Sequence, residues 1–148
     1  MIVATGVSPA WATVYTSTNV PVGICDLCTV TSTLSIGDSF LITDVNVIIG
    51  SLTHTWDGDL EISITSPFGT VVTLSDNRGG SGDNFIGTTF DDEAATAISA
   101  GGSPFTGSFR PEGFLSSLDG ENALGIWTLT VADQAGGDVG SINAITPL

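Results

Sequence analysis

The stretch His54-Thr55-Trp56-Asp57-Gly58-Asp59-Leu60-Glu61-Ile62-Ser63-Ile64-Thr65-Ser66-Pro67-Phe68-Gly69-Thr70 decides the fold. Leu60, Ile62 and Ile64 alternate with Glu61, Ser63 and Thr65, the period of two that puts neighbouring side chains on opposite faces of a strand. Ser66-Pro67-Phe68-Gly69 reads as a turn, so 60–66 and 70–75 are expected to form a hairpin. Working outward, Val45, Val47 and Ile49 alternate with Asp44 and Asn46, and Trp127, Leu129 and Val131 with Thr128 and Thr130. Further strands are expected near 13–16, 29–34 and 139–145. No sustained 3.6-residue apolar period is present, and one short Ala-rich helix is expected over 91–99. The fold class is all-β.

A chain of 148 residues is long enough for one domain with a real core and short for two. Its 16 Asp and Glu face only two cations, Arg78 and Arg110, giving a net charge of -14. Such a surface repels phosphate backbones and anionic lipid, so nucleic acid is excluded as a partner. It also repels itself, which points to neutralisation by divalent cations. No apolar run reaches the length of a membrane span. The first twelve residues are apolar but carry no basic leader and are too short for an ordinary signal peptide. Cys25 and Cys28 read first as a local disulfide clamping a loop. Two inert thiols, or redox or metal chemistry, are the alternatives. A zinc site finds too few ligands, since His54 is the one histidine and there is no third cysteine. His54 also has no Gly-x-Ser-x-Gly nucleophile elbow to serve. It reads as a residue bracing a loop, and the chain reads as no enzyme.

The acidic residues fall at turns. If β-strands flank the turn at 55–59 and the Gly-rich segment at 76–84, then Asp57, Asp59, Asp76 and Asp83 converge at one end of the domain, followed by Asp91, Asp92 and Glu93. Hard oxygen donors at Gly-rich turns suit calcium. The candidate ligands are Asp57, Asp76, Asp83, Asp91, Asp92 and Glu93. The plainer reading is that these carboxylates cap turns and bond their own backbone amides. Asp57-Gly58-Asp59-x-Glu61 is no EF-hand loop, because the later ligands are missing. Asp133-Gln134-Ala135-Gly136-Gly137-Asp138 reads as a hairpin loop joining the last two strands, with a second ion as the alternative. Between 75 and 126 strand signals are few, and a loop that long must be pinned by something.

The block His54 to Ile62 followed by Ser66-Pro67-Phe68-Gly69-Thr70 resembles the P domain (P/Homo B domain) of subtilisin-like proprotein convertases. So do Gly87-Thr88-Thr89-Phe90-Asp91-Asp92-Glu93-Ala94, Pro104-Phe105-Thr106-Gly107-Ser108-Phe109-Arg110-Pro111-Glu112 and Gly125-Ile126-Trp127-Thr128-Leu129-Thr130-Val131-Ala132-Asp133, which match its bacterial branch. The resemblance implies a jelly-roll-like antiparallel β-sandwich (galactose-binding-like) with long Gly/Asp-rich loops. It implies a secreted, extracellular and non-catalytic module, usually C-terminal to a subtilisin-like protease domain that it stabilises. It makes Asp59 the loop-locking residue and links Asp57 and the 76–93 stretch to calcium. The chain departs from the family at Cys25 and Cys28, in its ending after Asn143, and in carrying no protease. Residues 1–13 read as a β-prone arm, with Trp11, Thr13 and Tyr15 on one face, and 14–148 as the sandwich. Two roles follow. The first is a calcium-stabilised structural module that self-associates into a homo-oligomer or filament by strand addition of the arm. The second is an accessory domain of a secreted subtilisin-like protease or other secreted hydrolase.

Overall fold

The computed structural model describes residues 2–5 and 13–143. Its strands are β1 (Ile2–Thr5), β2 (Thr13–Tyr15), β3 (Val22–Ile24), β4 (Thr29–Ile36), β5 (Asp44–His54), β6 (Leu60–Thr65), β7 (Val71–Asp76), β8 (Phe85–Phe90), β9 (Phe105–Phe109), β10 (Gly125–Asp133) and β11 (Gly140–Ile142). The expected hairpin is β6 and β7. β4, β10, β6 and β7 form a four-stranded antiparallel sheet in that order. The others build a seven-stranded sheet around the long β5. Val47 pairs with Ile2 on one side and Phe90 on the other, and Leu52 with Ile142 and Phe85. β8 therefore follows one edge of β5, while β1 and β11 share the opposite edge, end to end. The one parallel pairing among the described strands is β8 with β9.

Alternation fills the space between the sheets. Val45, Val47, Ile49 and Leu52 of β5 meet Ile62, Ile64, Leu74, Trp127 and Val131 from the other sheet, all buried. Trp127 keeps its indole N–H satisfied inside the core by donating to the Ala123 carbonyl at 3.0 Å. The alternation in β5 changes phase between Ile49 and Leu52, which turns Leu52 and His54 inward. β8 changes phase beside it, at Gly87, whose φ is +59°.

Three expectations need correction. The 75–126 stretch is not largely structureless: it holds β8 and β9, and Phe85, Phe105 and Phe109 pin it. Phe85 stacks on Phe105 at 4.7 Å and Phe109 meets Phe105 edge-on at 5.7 Å. The 91–99 segment forms no helix beyond a 3-10 turn at Ile98–Ala100. Asp91 and Asp92 spend their carboxylates on backbone amides, which competes with helix formation, and Arg110 draws the segment out by bonding Thr96 and the Ala94 and Ala95 carbonyls. The 133–138 turn joins strands of different sheets and is a crossover, not a hairpin.

Of the arm, β1 and β2 pair within the sheet of their own chain. Trp11 and the residues after Asn143 lie outside the described residues. Among the described residues no helix is long and apolar enough to cross a membrane.

Candidate functional site

The connections 25–28, 55–59, 77–84 and 134–139 all cross between the sheets at one end of the sandwich. Their chemistry centres on Asp57, which is fully buried. One carboxylate oxygen accepts the Asn84 N–H at 2.9 Å and the other the Ser103 hydroxyl at 2.5 Å. The Asp57 amide donates to the Gly82 carbonyl at 2.8 Å, and the Gly58 amide to Gly80 at 2.9 Å. Asn77 closes the same loop by donating to the Gly58 carbonyl at 2.8 Å. One side chain thus ties together the 55–59 crossover, the Gly-rich 77–84 crossover and the approach to β9. The resemblance had given the loop-locking role to Asp59. The geometry gives it to Asp57, because Asp57 opens the short 3-10 turn Asp57–Asp59 with its side chain directed inward.

His54 occupies the inner side of this end. Its Nδ1 lies 3.0 Å from the Trp56 carbonyl and 3.3 Å from the Trp56 amide, so the ring braces the turn as expected. Its Nε2 lies 3.6 Å from the buried Asp133 Oδ2, an ion pair when the ring is protonated. The fourth crossover is tied in from outside. Asp26 accepts the Gly137 amide at 2.9 Å, Asp138 accepts the Thr55 hydroxyl at 2.5 Å, and the Gln134 amide donates to the Asp59 carbonyl at 2.8 Å. Cys25 and Cys28 are joined by a disulfide with an S–S distance of 2.00 Å.

The six candidate ligands do not form one group. Asp57, Asp76 and Asp83 lie at the crossover end; Asp91, Asp92 and Glu93 follow β8 to the opposite end, beside Asp44. A six-residue strand separates the two groups by about 20 Å. Asp57 has both oxygens occupied by protein donors, and so has Asp92, which accepts the Leu115 and Ser116 amides. Asp76 is exposed at the end of β7, opposite Glu61. Among the described residues no three His, Cys, Asp or Glu side chains are arranged as a preformed metal site. At the crossover end Asp57, its oxygens taken by Asn84 and Ser103, has no oxygen left without a protein donor to offer a cation. At the opposite end, Glu93 is pushed above its ordinary value by a hydrogen bond shared with Asp91. Asp44 is pushed up by burial and then by Asp91.

Charge sets a pH dependence. Burial raises the Asp57 carboxyl above its ordinary range, against the opposing pull of Ser103 and Asn84. Burial and the neighbouring Asp133 and Asp138 raise Asp59. With Asp44 and Glu93 also raised, the folded state holds protons more tightly than the unfolded state. These groups therefore favour folding most at low pH, and that contribution is lost as pH rises through their folded values. The melting temperature is expected to increase as pH falls from neutrality towards the ordinary carboxylate range near about 4, and calorimetry across that range checks it. A melting temperature that falls steadily over the same range would contradict the assignment.

Comparison with known proteins agrees with the geometry. Residues 42–146 match the family described as the proprotein convertase P-domain. The chain is similar to leupeptin-inactivating enzyme 1 of Streptomyces exfoliatus, 32% identical over 101 residues, covering 68% of this chain and 16% of that protein. It is similar to the calcium-dependent protease of Nostoc sp., 31% identical over 128 residues, covering 84% of this chain and 16% of that protein. A calcium-dependent protease of Trichormus variabilis is 30% identical over 116 residues, covering 76% of this chain and 15% of its own length. The chain thus spans about one sixth of the length of these relatives.

Proposed function

We infer that this chain, which belongs to the proprotein convertase P-domain family, serves as a non-catalytic accessory module that stabilises a secreted subtilisin-like protease or a related secreted hydrolase. The family match carries this reading, together with a chemistry spent on bracing loops. The hydrogen bonds of the His54 ring run to the backbone of Trp56, and Asp57 is consumed by Asn84 and Ser103. The Cys25–Cys28 disulfide supports an oxidising, extracellular location. Self-association through strand addition draws less support, because β1 covers its own β5.

The test is a chimera in which this chain replaces the matched segment of the Nostoc protease. Its half-life at an inactivating temperature is expected to exceed that of the protease lacking the segment by at least tenfold. Equal half-lives for chimera and truncated protease would overturn the reading.

Calcium enters the reading through two relatives whose names carry it. We propose that it acts on this chain at Asp44, Asp91 and Glu93, neighbouring carboxylates that are not arranged as a preformed site and that a divalent cation would draw together, where Glu93 shares a hydrogen bond with Asp91 and Asp44 is partly desolvated beside them. Millimolar calcium is expected to raise the melting temperature by a few degrees over chelator, by mass action on the folded state. Asp91→Asn should remove that difference. Coincident melting curves for the unsubstituted chain in calcium and in chelator sink this part of the proposal.

A further inference from the structure

The crossover end carries an apolar surface that bracing the loops does not require. Leu27, Val139 and Trp56 are 64%, 62% and 45% exposed. They sit on separate crossovers that the ties from Asp26 to Gly137, Thr55 to Asp138 and Cys28 to Asp133 hold together. Leu27 stands between the disulfide cysteines at φ +52°. That left-handed region favours Gly or Asn and penalises a branched apolar residue. A Leu held there, facing water, contributes nothing to the core, and an outlier of this kind points to a use for the side chain outside the chain. The bracing removes most of the ordering cost that a flexible loop would meet on binding.

Charge identifies the occupant. Around these apolar residues stand Asp26, Asp59 and Asp138, with Glu61 beyond Gln134. The cations of this chain are two arginines. Arg78 is bound to Glu112, and Arg110 to the Ala94 and Ala95 carbonyls. A second copy therefore offers like charge to this surface, and its docking is opposed. We propose that the Cys25–Cys28 knuckle, with Trp56 and Val139, is the docking face through which the module seats on a folded domain whose matching surface is apolar at its centre and basic at its rim. This rests on the reading of the chain as an accessory module, and it names the face that module uses.

The Nostoc chimera tests it. Leu27→Asp is expected to shorten the chimera's half-life at least fivefold, towards that of the truncated protease. The melting temperature of the free 148-residue chain should move by less than about two degrees, as an exposed substitution usually does. Phe68→Asp, at the opposite end and 67% exposed, should leave the half-life unchanged. Raising salt should erode the stabilisation by the unsubstituted chain, because a basic rim against an acidic one is screened. Suppose the unsubstituted chimera is stabilised, Leu27→Asp is equally stable and Phe68→Asp is not. The docking face is then wrong and the accessory reading stands. If the unsubstituted chimera gains nothing over the truncated protease, the reading fails and the docking face fails with it.

Discussion

Asp57→Ala is expected to lower the melting temperature by about 10 °C, the largest effect of any single side-chain truncation at the crossover end. The substitution removes the acceptor of the Asn84 amide and of the Ser103 hydroxyl together, and both donors lie at least partly out of water. Leaving such donors unsatisfied costs about 1–3 kcal/mol each, so a total near 3 kcal/mol is reasonable. At about 2–4 °C per kcal/mol for a chain of this size, the shift follows. The cost arises even though burial disfavours the Asp57 charge, because breaking a satisfied buried network is dearer than never building it. Asp57→Asn keeps a single acceptor oxygen and should lose about half as much. Circular dichroism melts give the magnitude. Hydrogen exchange gives the location, since the 77–84 amides should lose protection before those of β6 and β10. A change of less than about 1 kcal/mol would mean that the loop is held elsewhere.

Gly79→Ala is expected to cost as much, for a steric reason. Gly79 has φ +100°, and a Cβ there would lie 2.9 Å from both Asp57 Cβ and Phe105 Cε2 and closer still to the Ser103 hydroxyl. Backbone strain of about 1–3 kcal/mol then adds to overpacking of about 1–3 kcal/mol. The neighbouring Gly80 separates the two contributions. It also has a positive φ, +53°, but its Cβ would meet nothing within 4 Å. Gly80→Ala should therefore cost only about 1 kcal/mol, the left-handed penalty alone. Equal melting shifts for the two alanine variants would show that close packing around Asp57 contributes nothing.

Much of the architecture was legible in the sequence wherever alternation ran unbroken. Leu60, Ile62 and Ile64, and Trp127 and Val131, face inward as their spacing required. The reading failed where glycine broke the phase. Gly87 at φ +59° breaks the phase inside β8, leaving Phe85 and Phe90 on one face at an odd spacing, and Gly107 at φ +98° leaves the inward position between Phe105 and Phe109 of β9 without a side chain, so the segment looked structureless. The helix expected over 91–99 failed because Ala content says nothing about where Asp92 and Arg110 find their partners. The crossover end was legible as a convergence of acidic loops, but not its wiring. Asp57 and Asp59 are equivalent by residue type, and only the direction of a short 3-10 turn makes the first a buried lock and leaves the second at the rim. The fate of Asp91, Asp92 and Glu93 depended on β8 being a strand, which carries them to the far end.

The shared edge of β5 has a consequence for how the chain could be cut. β1 and β11 run in the same direction, Ile2 opposite Val47 and Ile142 opposite Leu52, and the Asn143 amide reaches the Ser51 carbonyl. The outgoing end of β11 therefore points at the incoming end of β1. Together they are one long strand interrupted in its middle. A circular permutant that joins the two through a short linker and opens the chain at the 66–69 turn would keep every described strand beside its present neighbours. The sandwich has no topological need for its break to lie where it does.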